Sequence, residues 1–173
     1  MEKYKAHKIF FSIAFIGIAI LAVLTYLSKN ALVSDTNAAE NLKNFNYYYN
    51  YLSDGNLILF AVLLFVSNIL YISGRHWFTF ICTGIILLFF NVIDWFWLSE
   101  MFFHYKKRNH LWQGETNLAY IVGFFFSILG LLIIVINYYI LKLILRNKSK
   151  DINKPETSVL TTTEKENEIR TDK

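Results

Sequence analysis

Four stretches of this chain lose all alternation between apolar and charged positions. Ile9 to Leu27, Asn56 to Ser73, Trp77 to Ile93 and Asn117 to Leu141 contain no Asp, Glu, Lys or Arg. Each is close to or beyond the length of about 20 residues at which a helix crosses hydrocarbon. A backbone in hydrocarbon must satisfy its own hydrogen bonds, and runs this long with no period of two do so as helices rather than as barrel strands. The pattern predicts an all-α integral membrane protein, with four transmembrane helices in a bundle over about 9–28, 56–73, 77–98 and 117–141.

A different pattern fills the segment between the first two runs. Ala38, Leu42, Phe45, Tyr49 and Leu52 recur at helical spacing, with Asn37, Lys43 and Asn44 opposite, which marks one apolar helix face. Ser34, Asp35 or Thr36 can cap its start and Asp54-Gly55 can end it. The expectation is an outer-surface amphipathic helix over about 36–53, thick with Tyr47, Tyr48, Tyr49 and Tyr51. Tyrosine settles at headgroup depth, so the helix lies on the membrane or forms a Tyr-rich lid or partner surface. "SGRHW", residues 73–77, leaves so little loop that the second and third spans form an antiparallel hairpin.

The fourth run exceeds one span and continues towards Lys142 and Arg146, which suit the headgroup level. Beyond Asn147 the chain turns polar and holds its one proline, Pro155. Residues 1–146 therefore read as the transmembrane domain and 147–173 as a disordered cytoplasmic tail. Val159-Leu160 is its sole apolar anchor.

Composition agrees with the pattern, because 55% hydrophobic and 17% charged residues exclude an ordinary soluble domain. Basic residues set orientation. Twelve of the seventeen, namely Lys3, Lys5, Lys8, Arg75 and those from Lys142 onward, fall on one side when both termini are cytoplasmic. Lys29, Lys43, Lys106, Lys107 and Arg108 fall on the other, and the last three oppose the assignment. The predicted location is a plasma or inner membrane. Lys3, Lys5 and Lys8 precede the first run as in a signal peptide, but the run outlasts an h-region and reads as a retained anchor. Cys82 is the one cysteine, so it pairs with none in the chain and reads as a small packing residue.

Candidate chemistry concentrates in "NVIDWFWLSEMFFHYKKRNH", residues 91–110. Counted from Trp77 at about 1.5 Å per residue, Asp94 lies about 25 Å along, near the far edge of a core about 30 Å thick. Trp95 and Trp97 beside it mark an interface. Asp94, Glu100, His104, Lys106, Lys107, Arg108 and His110 form the candidate polar outer site. They read as an interfacial collar in contact with water, or as a binding surface for a lipid headgroup, solute or partner. Glu100 and His104 can touch at i, i+4, but zinc needs three or four convergent ligands, so no metal and no cofactor are assigned. Asn68, Asn137, Gly123, Ser127 and Gly130 read as helix-packing positions, since small and polar side chains join membrane helices.

No phosphate-binding loop, dinucleotide motif, nucleophile elbow or histidine array is present in the sequence. The favoured expectation is a non-enzymatic accessory or interaction subunit, with membrane lipids, other membrane proteins or its own copies as partners and no nucleic acid. A solute or ion transporter acting as an oligomer stands second, and an enzyme using the outer rim third. The basic-residue split predicts that a phosphatase fused after Gly114 is active outside the cytoplasm and one fused after Lys150 is not. The opposite pair of activities reverses the orientation.

Overall fold

A seam of small and apolar side chains at alternating three- and four-residue spacing joins the first two helices. The computed structural model describes residues 2–34, 37–74, 76–111 and 119–152, and all regular structure among them is helical. Helix α1 spans Glu2–Val33 and α2 spans Ala38–Gly74. Helix α3, Phe78–Asn91, runs into a π-helical segment, Val92–Leu98, and then into α4, Ser99–Arg108. Helix α5 spans Ala119–Ile152. Four helical stretches, His7–Val33, Ala38–Gly74, Phe78–Arg108 and Ile121–Asn147, are long and apolar enough to cross a membrane. The chain divides into a unit Met1–Tyr139 and a unit Ile140–Lys173. In the second, the described residues are the last turns of α5.

In α1 the buried positions are Phe10, Ala14, Leu21, Thr25, Ser28, Ala31 and Leu32, and in α2 they include Phe45, Leu52, Leu59, Leu63 and Leu70. A period near 3.5 keeps one stripe of each helix facing its partner over many turns. The contact is reciprocal. Leu59 of α2 lies over Gly17 and Leu21 of α1 lies over Gly55, where added Cβ atoms would come within 2.3 and 2.9 Å of those leucines. Absence of a Cβ lets the two backbones close up.

That packing accounts for a difference from the sequence expectation. The segment about 36–53 is not a separate amphipathic helix ended by Asp54-Gly55, because α2 is continuous from Ala38 to Gly74. Gly55 costs about 1 kcal/mol of helix propensity relative to Ala, but here it receives Leu21 and the seam passes through it unbroken. The predicted face also points into protein. Phe45 and Leu52 are buried, with Leu42 and Tyr49 packed beside them, and the Phe45 ring stacks on Phe102 at 4.8 Å between centroids. Helical structure also reaches beyond the expected spans, to Val33, Arg108 and Ile152. Most of the predicted tail lies outside the described residues.

Helix α4 stops by a backbone device. Leu111 donates its N–H to the Lys106 carbonyl at 2.9 Å and His110 donates to Lys107 at 3.3 Å, with His110 at φ 56°. This is a Schellman ending with histidine in the left-handed position that glycine usually fills.

Helix α5 attaches along one narrow stripe. Gly123 faces Trp95, Gly130 faces Leu87, and Tyr138 meets the rings of Tyr71 and Phe80. At Gly123 an added Cβ would fall 2.3 Å from Trp95 Cβ and 2.6 Å from its Cγ, atoms that cannot swing aside. At Gly84 the nearest atom would be 3.4 Å away. Gly123→Ala should therefore lower stability by about 1–2 kcal/mol despite its better helix propensity. Gly84→Ala should be neutral or stabilising, with thermal unfolding in mild detergent as the measurement.

Candidate functional site: a buried polar ladder and a basic cleft

Some buried polar side chains, such as Thr25 and Ser28, bond back to carbonyls of their own helix, and others pair across helices. Ser67 and Thr83 hydroxyls lie 3.3 Å apart between α2 and α3. Two turns along, Asn56 donates its amide to Asn91 Oδ1 at 3.0 Å, and Asn91 donates its own amide to Ser127 Oγ at 3.1 Å. Ser127 Oγ in turn donates to the Gly123 carbonyl of its own helix at 2.8 Å. Asn91 thus joins α2, α3 and α5 through one directional chain. Asn137 also donates to Asn68, a second link between α5 and α2.

The next group along the ladder is Asp94, inside the π-helical segment and only 1% exposed. The Tyr49 hydroxyl of α2 is its hydrogen-bonding neighbour, while Asp94 Oδ1 is buried with no hydrogen-bond partner. The sequence reading placed this carboxyl on a rim in contact with water. In the structure it is buried between helices, beside Tyr49 of α2. A buried carboxyl is expensive unless fully hydrogen-bonded, and π-helical turns concentrate at functional positions. Spacing alone could not show this, because depth along a helix says nothing about which way a side chain faces.

The other candidates collect elsewhere. Glu100 and His104 pair at 2.9 Å and are partly exposed. They share with Lys107 and Arg108 the lining of a cleft of about 710 Å³, whose remaining wall is Leu32, Val33, Trp97, Met101 and Tyr105. Arg108 and Tyr105, with Asn41 and Asn109, also line an adjoining polar cavity of about 440 Å³. The base of this region is tied down. Asn41 donates to the Tyr105 hydroxyl at 3.0 Å and to the Ser34 carbonyl at 2.9 Å, so the end of α1, the start of α2 and α4 are held together. The cations lie over rings: Arg108 over Tyr105 at 6.0 Å, Lys106 over Phe102 at 5.7 Å and Lys29 over Trp97 at 5.7 Å. Lys106 and His110 are not among the cleft's lining residues.

Among the described residues no three His, Cys, Asp or Glu side chains converge as metal ligands. One contact had no signal in the sequence: the His7 ring sits edge-on to His76 at 4.5 Å, joining residues from α1 and the α2–α3 turn. Comparison with protein-family models, with curated proteins and with solved structures finds no match to the chain.

The Asn91 relay predicts a measurable coupling. In a double-mutant cycle between Asn91→Leu and Ser127→Ala, scored by unfolding in detergent, the interaction should be about 0.6–1.7 kcal/mol, the range for interhelical hydrogen bonds in membranes.

Proposed function

We propose that the chain is a non-enzymatic, multi-pass membrane protein whose business is to bind another membrane protein. One observation carries the reading: the helices are longer than a membrane requires, and the excess is packed. Helix α2 has 37 residues, or about 55 Å at 1.5 Å per residue, against a hydrocarbon core about 30 Å thick. The segment that was expected to lie flat instead reads as an upright continuation, held to α1 and α4 by Asn41, Phe45 and Leu52. Its open face carries Tyr47 and Tyr51, both more than half exposed and in edge-to-face contact at 4.9 Å. Tyrosines are enriched where proteins meet. On this reading four helices anchor the protein in the membrane with both termini cytoplasmic, the tyrosine-bearing turns of α2 continue beyond the hydrocarbon on the opposite side, and the basic cleft lies at the headgroup level there.

A second reading, an oligomeric transporter of a solute or ion, is favoured by Asp94. A buried ionisable group within a membrane helix is by default a functional group.

Purification of the full chain in mild detergent separates the two. The expected result is a second membrane protein in fixed stoichiometry, lost from the Tyr47→Ala/Tyr51→Ala variant while that variant remains folded. A pure homo-oligomer that the double variant leaves unchanged supports the transporter reading instead.

A further inference from the structure

We propose that the cleft between α1 and α4 seats one anionic phospholipid, with its phosphate at Lys107 and Arg108 and the start of an acyl chain along Leu32, Val33, Trp97 and Met101. The inference rests on the membrane placement of the helices and not on the tyrosine face or its partner.

The chemistry of the two walls makes the choice. The cleft's volume of about 710 Å³ is within the ordinary range for a bound small molecule. One side is apolar and aromatic, and it continues outward through Val33 and Trp97, which are 62% and 42% exposed. The other side is cationic, with Lys107 and Arg108 exposed on the rim and Lys29 standing over the Trp97 ring. Glu100 is the one acid of the lining, and His104 engages it at 2.9 Å. A free phosphate would gain from the cations but leave Leu32, Val33, Trp97 and Met101 without purpose. A neutral lipid or an apolar helix would use that wall and leave the cations unmatched. An amphiphile with an anionic head satisfies both. Tryptophan belongs at the level where headgroups meet chains, and basic side chains at that level draw anionic lipid.

The arrangement also gives the cluster at 106–108 a role that fits its position. It is the one group of basic residues set against the basic-residue rule. A cluster that holds a ligand is explained by the ligand, whichever side of the membrane it occupies.

The test uses the full chain, purified in mild detergent and stripped of co-purified lipid. It is titrated separately with phosphatidylglycerol, with phosphatidylcholine of the same acyl chains and with inorganic phosphate, and bound species are read by native mass spectrometry. One phosphatidylglycerol should bind in preference to phosphatidylcholine. Each basic side chain near an anionic surface contributes about fivefold in affinity. Lys107→Ala/Arg108→Ala should thus weaken phosphatidylglycerol by about 25-fold and leave phosphatidylcholine unchanged. Met101→Glu, which places a charge in the apolar wall, should weaken it as well. Equal binding of the two lipids overturns the proposal, and so does inorganic phosphate that competes with the lipid one for one. Loss of the partner protein from the tyrosine variant with lipid binding intact supports both readings separately. Loss of lipid preference alone overturns this one.

Discussion

Asn91 is the joint on which the arrangement of the last helix depends. It accepts a hydrogen bond from Asn56 and gives one to Ser127, so a single side chain fixes the relative height of α2, α3 and α5. For helices apolar enough to cross a membrane, apolar contact alone would discriminate poorly between alternative registers in lipid, which is as apolar as the helix surface. A polar group that slides out of register loses its partner. The relay therefore selects the register in which Gly123 meets Trp95 and Gly130 meets Leu87. The close packing of small residues follows from that choice, and Asn137 with Asn68 repeats the device further along.

The α1–α2 pair is held by another means. Its seam has few polar links along the middle, and two leucines set into two glycines take their place. Each mode suits its helices. Four residues separate α1 from α2, so the turn already limits their register and close packing can do the rest. Helix α5 is joined through a longer connection and meets the others on one stripe, so it needs directional bonds to be placed. This contrast also explains why α2 does not break at Asp54-Gly55: the glycine that would end an isolated helix is the socket that the seam requires.

The classes of element were legible in the sequence, but the faces were not. Apolar blocks without charge located four helices long enough to span a membrane. Gly123, Ser127, Gly130 and Asn137 were read as packing positions from their small or polar side chains, and the structure sets each of them against α2, α3 or the π-helical segment. The segment around Phe45 shows the limit. Its periodicity marked an apolar face, but the same face serves equally for a membrane surface or for neighbouring helices, and only the packing of Phe45 on Phe102 decides between them. The burial of Asp94 was not legible for a related reason. The residue was placed by counting rise per residue, while its direction depends on a π-helical segment that neither composition nor spacing announces. The cleft was half legible: its charges stood out at 100–108, but its apolar wall comes partly from Leu32 and Val33, which are distant in the chain.

The two unusual features of the molecule make opposite demands on stability, and this bears on what each is for. The cleft costs the fold little, because its cations are exposed and its base is secured by Asn41 and Tyr105. Asp94 is different. It is 1% exposed with one oxygen unpartnered, and a leucine there would leave less polarity unsatisfied. Packing alone gives no reason to keep an acid at that point, whereas it gives ample reason for Phe45, Leu52 or Gly55. The fold tolerates this residue at a cost, inside the one π-helical stretch among the described residues. The binding reading rests on the surface, and the transport reading on this single interior group.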